Sequence, residues 1–290
     1  TGPRTARSLY LGGGTPSRLA PAEVGRLVDA AARLWDLPSD AEVTLETNPD
    51  DATPERLAGF RAAGVNRLSL GAQSFDDSML QTLGRVHRAA DIVRAFEAAR
   101  SAGFDNINLD LMYALPGQDA AQAIVDIEQA TALRPEHLSW YQLTLEPNTV
   151  FHARPPAGLP EEEAAWAIQD AGTTLLEEAG FERYEVSAWA RPGRRCRHNL
   201  NYWSYGDYLG IGAGAHGKVS FADGRIQRYA KKRQPADYMA AAGETFTARR
   251  HELSAADRSG EFMLNALRLN EGFSMSRFSA RTGLDPAAIS

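Results

Sequence analysis

Residues 9–16 have the sequence Leu-Tyr-Leu-Gly-Gly-Gly-Thr-Pro, a short apolar run followed at once by a glycine-rich turn. Such a run, bounded by glycines and followed by residues with helical periodicity, is typical of a parallel strand that leads into a helix. Further apolar runs are followed in the same way by polar or glycine-rich residues: 43–45, 68–70, 107–109 and 138–141. The first half of the chain is therefore predicted to form five βα units.

The segments between these runs carry the start and stop signals of helices. Thr53 is a predicted helix cap, Pro54 suits the first turn, and Gly64 allows a left-handed ending. A second ending of this kind is predicted at Gly103. Repeated βα units form either a doubly wound open sheet or a full or partial barrel, and both place function at the carboxyl ends of the strands.

Polar residues follow the predicted strands at these carboxyl ends. Gly13 and Gly14 would let backbone N–H groups approach a ligand, and Thr15 adds a hydroxyl. Glu46 and Asp110 offer carboxylates for a ribose or an amino group. Gln73 and Arg85 add an amide and a clamp for a carboxylate, and Thr144 follows the fifth run. Any one of these residues more often caps a neighbouring helix, but a series of them on successive units indicates a binding site.

The composition limits the class of protein. The chain has 290 residues, 43% hydrophobic and 23% charged, which is typical of a globular protein with one large domain and a smaller appendage. It contains no apolar run near the ~20 residues that span a bilayer and no secretory signal, so a cytoplasmic location is predicted. A net charge of -6 argues against nucleic acid as the main partner. Peripheral membrane contact and the oligomeric state remain open.

The βα rhythm fades after residue 147, and a different module is predicted further on. Prolines at positions 155, 156 and 160 precede an acidic amphipathic helix. We predict domains at 1–178 and 179–290, the second with a basic turn at 191–197, a glycine-rich strand within 208–221 and a helix from about Glu261. Cys196 is the single cysteine, which excludes an intrachain disulfide and a metal cluster held by several thiolates of this chain.

Four motifs in order and spacing, LGGGTPS at 11–17, ETNP at 46–49, NRLSLGAQSF at 66–75 and NLDLMYALPG at 108–117, resemble the HemN/HemW family of radical S-adenosylmethionine (SAM) proteins. The resemblance extends over nearly the entire chain. It implies an α/β fold, a radical SAM partial (β/α)6 TIM-type barrel whose first strand is missing, followed by a smaller α+β module. The sequence is accordingly expected to be truncated at both ends.

The resemblance also implies a SAM site. Gly13, Gly14 and Thr15 would contact SAM, with Glu46 among the contacts. Gln73, Arg85 and Asp110 occupy matching positions. In porphyrinogen-oxidising relatives these last three residues, with the position of Thr144, also touch a second SAM molecule, and whether this chain has that second site stays open.

The chemistry of the family requires a [4Fe–4S] cluster held by a Cys-x3-Cys-x2-Cys loop, and this chain has no such loop. A sequence that starts at the second barrel strand is the simplest explanation. A natural protein without the cluster is the alternative, and it would not cleave SAM reductively by this route.

A second motif, CRHNLNYW at 196–203, points to heme. His198 offers an imidazole for iron, Tyr202 and Trp203 offer flat faces for a porphyrin, and the arginines of the basic turn would meet propionates. A buried histidine with core aromatics is the commoner arrangement for such residues alone. The pattern His-Asn-x-x-Tyr-Trp, however, resembles the heme-binding motif of the heme chaperones in this family. His216 is a weaker candidate for an axial ligand, and a merely buried Cys196 is favoured over a heme-linked thiol.

Three functions remain open from the sequence. The leading one is heme binding and delivery to an acceptor hemoprotein on a SAM-binding scaffold, with no catalytic residue assigned. The enzyme alternative is oxygen-independent oxidative decarboxylation of coproporphyrinogen III, which needs the cluster. A degenerate barrel without cofactors would bind neither heme nor SAM.

Overall fold

The computed structural model describes residues 4–147 and 149–289, apart from the side chain of Glu244. The chain divides into two compact units. One spans Thr5–Cys196, and the other comprises the residues from Arg197 onward together with Arg4.

The first unit is built on a seven-stranded sheet of order β1-β2-β3-β4-β5-β7-β6. Neighbours from β1 to β5 are parallel, β7 is antiparallel to β5, and β6 is antiparallel to β7. The strands are β1 Ser8–Leu11, β2 Glu42–Thr47, β3 Arg67–Gln73, β4 Ile107–Tyr113, β5 His137–Gln142, β6 Glu182–Glu185 and β7 Ala188–Ala190. The five predicted parallel strands and the partial-barrel α/β fold are confirmed. Because β6 and β7 pair with this sheet, the first unit continues past residue 178.

Helices connect the parallel strands. They are α1 Pro21–Leu34, α2 Pro54–Ala62, α3 Asp77–Thr82, α4 Ala89–Ser101, α5 Ala120–Ala132, α6 Val150–Ala153 and α7 Glu162–Glu178. The Thr53 hydroxyl accepts a hydrogen bond from the Arg56 N–H, so the predicted cap is confirmed. Gly64 and Gly103 have φ values of 94° and 86°, the left-handed endings that their sequence predicts.

The strands separate an apolar face from a polar one. Alternate residues of a strand point to opposite faces, so Leu45, Leu68, Leu109 and Leu138 lie on the face that packs against the helices, where all are buried. The residues between them on the other face are polar, for example the partners Glu46 and Ser69 of β2 and β3. The inner face of the partial barrel is therefore a surface of hydrogen-bonding groups.

The second unit combines helices with a three-stranded antiparallel sheet of order β10-β9-β8. Its elements are α8 Arg197–Trp203, β8 His216–Ser220, β9 Ile226–Lys231, α9 Pro235–Met239, β10 Thr247–Glu252, α10 Ala255–Ala266 and α11 Met275–Thr282. Phe262 and Phe278 centre its core. The strand predicted within 208–221 is confined to β8. Gly212 and Gly214 have positive φ, which interrupts the extended backbone before His216.

Among the helices of the described residues, none is both long and apolar enough to cross a bilayer.

Candidate functional site

The glycine turn after β1 is open and is tied to Glu46. Gly13 and Gly14 have φ values of 84° and 64°, and a Cβ at either position would meet nothing within 4 Å. The Gly13 N–H donates to Glu46 Oε2 at 3.1 Å. Gly12 differs, because a Cβ there would lie 2.6 Å from the Tyr10 ring and 2.9 Å from Glu46 Oε1. Thr15 follows the turn, and its carbonyl accepts the Arg18 N–H.

Glu46 has a partner for each carboxylate oxygen. Besides the Gly13 bond, Oε1 accepts the Tyr10 hydroxyl at 2.7 Å. Burial, and then the negative charge of Glu46, raise the pKa of Tyr10, so the phenol stays protonated and remains a donor. The carboxylate is thereby held at the carboxyl end of β2 beside the open turn.

Asp110 presents a second oriented carboxylate on β4. Asn108 Nδ2 donates to Oδ1 at 2.8 Å, and Ser69 Oγ donates to Oδ2 at 3.0 Å. Burial raises the pKa of Asp110, its hydrogen bonds oppose that rise, and the charge of Glu46 adds to it. Ser69, which donates to Asp110, is also the strand partner of Glu46, so the two carboxylates lie near one another on the same face of the sheet.

Gln73 ends β3 in an unusual conformation. Its φ is 72°, in the region that favours glycine, although its side chain is buried. The amide oxygen accepts the Tyr141 hydroxyl at 3.1 Å. Strain of this kind costs on the order of 1–3 kcal/mol and is concentrated at functional sites. Gln73 is thus held at the same rim as Glu46 and Asp110.

Arg85 and Thr144 stand at the edge of this group. Within residues 4–147 and 149–289, the Arg85 side chain makes no hydrogen bond or ion pair. Its charge opposes the rise that burial produces in the pKa of Tyr141, so the guanidinium lies near that phenol. Thr144 is exposed and donates to Glu146. Among the described residues, the Arg85 guanidinium therefore has no hydrogen-bonding or ion-pair partner.

A buried hydrogen-bonded chain lies behind Asp110. Asn108 Oδ1 accepts from His137 Nδ1 at 2.6 Å, and His137 Nε2 accepts the Tyr184 hydroxyl at 2.8 Å. Complete burial lowers the pKa of His137 well below its usual range, so the imidazole is neutral. His137, Tyr10, Asn108 and Tyr184 were not identified as site residues from the sequence. Polar residues at alternate strand positions were the available signal.

A cavity of about 610 Å³ adjoins this rim. Tyr141 and Thr144 line it together with Trp140, Tyr113 and the exposed Trp166 of α7. The rings of Tyr113 and Trp140 lie 4.4 Å apart. Its volume falls within the ~300–1,000 Å³ of small-molecule sites.

The candidate heme residues lie together on α8. His198 and Tyr202 are one turn apart, with ring centroids 5.1 Å from each other. Tyr202 also stacks on Tyr208 at 4.3 Å. Trp203 lies 6.2 Å from Tyr202, and the Arg268 guanidinium covers its ring at 4.3 Å. All three predicted residues are half-buried, which leaves part of each side chain to contact a ligand.

Three arginines of the basic turn contact residues of the first unit. Arg191 lies over Phe181 at 4.5 Å, Arg194 is 3.9 Å from Asp105, and Arg195 is 3.5 Å from Glu182. The contact of this turn with heme propionates stays a prediction. Cys196 is fully buried and donates to Glu42 Oε1 at 3.4 Å, which confirms the prediction of a buried thiol.

The donor set fits SAM but not a cluster. The open glycine turn, two oriented carboxylates and an unshared guanidinium suit the amino, ribose and carboxylate groups of SAM. In the described part of the chain no three His, Cys, Asp or Glu residues could hold a metal ion, and the sequence has one cysteine. The residues of this chain do not provide the ligands of a [4Fe–4S] cluster.

Comparison with known proteins identifies similar sequences and similar folds. The profile of the Radical SAM superfamily matches residues 2–130, and that of the HemN C-terminal domain matches 253–290. The chain is 46% identical to heme chaperone HemW of Escherichia coli (strain K12), covering 97% of the chain and 73% of the relative. It is 43% identical to HemW of Haemophilus influenzae, with 99% and 74% coverage. The corresponding values for HemW of Bacillus subtilis are 37% identity and 98% and 75% coverage.

Among solved structures, coproporphyrinogen III oxidase (HemN) from Escherichia coli superposes with a TM-score of 0.79. The match covers 96% of this chain and 67% of that protein at 24% identity. At that identity the similarity concerns the fold alone.

Proposed function

Because the chain belongs to the HemW family of heme chaperones within the radical SAM superfamily, we propose that it binds heme and delivers it to an acceptor hemoprotein. The observation that carries the proposal is the half-buried row of His198, Tyr202 and Trp203 on α8. An imidazole and two aromatic faces on one short helix are suited to an iron porphyrin.

We propose distinct tasks for these three side chains. His198 supplies an axial nitrogen to the heme iron, and the faces of Tyr202 and Trp203 pack against the macrocycle. Burial raises the pKa of Tyr202, so its phenol remains neutral and its ring stays suited to apolar contact. Partial exposure allows heme to leave for an acceptor without unfolding of the helix.

SAM is the proposed ligand of the rim. The methionyl part of SAM lies against the turn formed by Gly13, Gly14 and Thr15. Its amino and hydroxyl groups donate hydrogen bonds to Glu46 and Asp110. Gln73 and Arg85 complete the set, with Arg85 directed at the SAM carboxylate. In this superfamily, SAM bound to a reduced cluster is a source of the 5′-deoxyadenosyl radical. The chain's own residues bind and orient SAM, and their hydrogen bonds hold the two carboxylates in place.

Heme titration followed by transfer tests the proposal. The chain is titrated with hemin, the Soret band is recorded, and the loaded protein is mixed with apomyoglobin as a surrogate acceptor. We expect stoichiometric binding, release to the acceptor, and an altered Soret band in His198→Ala. His152→Ala is the matched control, since His152 is an exposed histidine of the first unit.

Two results would contradict the proposal. An unchanged Soret band in His198→Ala would remove His198 as the iron ligand, and absence of hemin binding by the wild type would remove the chaperone function. A coproporphyrinogen turnover assay of the same protein checks the enzymatic alternative. The proposal includes a cytoplasmic location, which cell fractionation tests; a buried free thiol is compatible with a reducing compartment.

A further inference from the structure

A cationic pocket lies on one face of the three-stranded sheet of the second unit. It measures about 270 Å³, and its charged lining residues are His216, Arg228, Arg249, His251 and Glu261. Strand register explains the grouping. Ala230 of β9 is the partner of both His216 and Arg249, and Arg228 is the partner of His251. Partners across a sheet share a face, so these side chains converge although they come from three strands.

The pocket carries more positive than negative groups. Arg228 is paired with Glu261, with Nη2 2.7 Å from Oε2. Throughout the part of the chain that the structure describes, the side chains of His216, Arg249 and His251 make no hydrogen bond or ion pair. The single carboxylate that lines the pocket, Glu261, is already paired with Arg228, so the donors of His216 and Arg249 face the pocket without an anionic partner. His251 lies near the charge of Asp257, outside the lining of the pocket. Such a set suits a carboxylate or a phosphate.

A row of aromatic rings connects this pocket to the proposed heme ligand. His198 lies 5.1 Å from Tyr202, and Tyr202 stacks on Tyr208 at 4.3 Å. Tyr208 in turn lies under the Arg228 guanidinium, 5.6 Å from its ring centroid, and its hydroxyl accepts a hydrogen bond from Arg228. The row of rings that begins at His198 thus ends at Arg228, which also lines the pocket.

We propose that this pocket receives a propionate carboxylate of heme, with Arg249 as its principal donor and His216 and His251 as supporting donors. The inference rests on the proposed heme function and deepens it. The pocket is smaller than the ~300–1,000 Å³ of sites that enclose a whole drug-sized ligand, so it admits a carboxylate arm while the macrocycle stays on the aromatic row.

The test compares hemin with its dimethyl ester, which lacks the two free carboxylates. Dissociation constants are measured for the wild type, Arg249→Gln and Arg250→Gln. Arg250 is the matched control, because it has the same charge on the same strand but pairs with Tyr229 and points to the opposite face. Losing a charge-assisted bond should weaken hemin binding on the order of tenfold in Arg249→Gln. Arg250→Gln should bind hemin like the wild type, and the ester should bind both variants and the wild type equally.

Each other outcome has a defined meaning. Equal hemin affinity of Arg249→Gln and the wild type, or equal loss in Arg250→Gln, overturns the propionate assignment and leaves the chaperone proposal standing. If the wild type binds no hemin, both fail. Inorganic phosphate is titrated in parallel, and phosphate binding that Arg249→Gln abolishes while hemin affinity is unchanged would identify a phosphate site and overturn the assignment.

Discussion

Gly172 of α7 packs directly against Trp140 of β5, and replacing it by alanine should destabilise the first unit. A Cβ at this position would lie 2.1 Å from Trp140 Cη2, 2.6 Å from Trp140 Cζ2 and 2.7 Å from Ile127 Cδ1. Trp140 is 3% exposed and its ring packs 4.4 Å from that of Tyr113. Either the indole moves toward the cavity that it lines, or α7 shifts outward.

The expected magnitude follows from two opposing effects. Alanine is favoured over glycine in a helix interior by roughly 0.8–1 kcal/mol. Overpacking of a filled core costs typically ~1–3 kcal/mol and sometimes more. Contacts near 2 Å against two buried side chains are at the severe end of that range, so we expect a net loss of about 1–2 kcal/mol in the free energy of unfolding. Because Trp140 also lines the 610 Å³ cavity, the cavity should change shape as well.

Gly260 on α10 is the matched control, since it is also a helical glycine but a Cβ there would meet nothing within 4 Å. Urea unfolding of both variants is followed by circular dichroism and tryptophan fluorescence. Gly260→Ala should be more stable than the wild type by roughly 0.5–1 kcal/mol, and Gly172→Ala should be less stable. Equal stabilisation by both substitutions would refute the packing argument.

Two further predictions concern buried and rim carboxylates. Burial raises the pKa of Asp126 to about 6, so ionisation of this side chain opposes folding. The stability that neutral Asp126 contributes is fully present below about pH 4, and about 3 kcal/mol is lost as the pH rises through 6. Asp126→Asn should reduce the difference between the free energies of unfolding in urea at pH 4 and at pH 7 by about that amount, and an unchanged difference would contradict the assignment. Glu46→Ala should weaken SAM binding on the order of tenfold in equilibrium dialysis, because Gly13 and Tyr10 lose their shared acceptor. Hemin affinity should be retained, and an equal loss of both ligands would indicate misfolding instead.

The polar inner face explains why the rim carboxylates keep their orientation. Asp110 is held by Ser69 and Asn108, and Asn108 is held by His137. Each of these side chains faces away from the helices and finds its partners across the strands. A buried network in which donors and acceptors are paired is rigid, because breaking one bond leaves another buried group unsatisfied. Binding of a ligand at Asp110 then requires little ordering of the carboxylate.

Local signals in the sequence were sufficient for the order of elements and for the main polar positions. The alternation of apolar runs with helix-period segments predicted the five parallel strands. Thr53 begins a helix because its hydroxyl accepts a backbone N–H, and Gly64 ends it because glycine adopts positive φ without strain. Glu46, Gln73 and Asp110 were found because parallel strands end on one edge. Family motifs added the proposed roles for SAM and heme.

The tertiary structure alone decided which polar groups meet. His137 and Tyr184 are 47 residues apart in sequence, yet they share a hydrogen bond because β6 and β7 return to the edge of the sheet. Folding also places arginines of the basic turn beside Asp105, Glu182 and the Phe181 ring, contacts that their spacing in sequence does not indicate. His216 of β8 lies more than 30 residues before Arg249 and His251 of β10, and antiparallel register brings the three side chains to one face of the sheet. Periodicity and capping depend on neighbours along the chain, and pairing across strands depends on register and burial, which only the folded sheet determines.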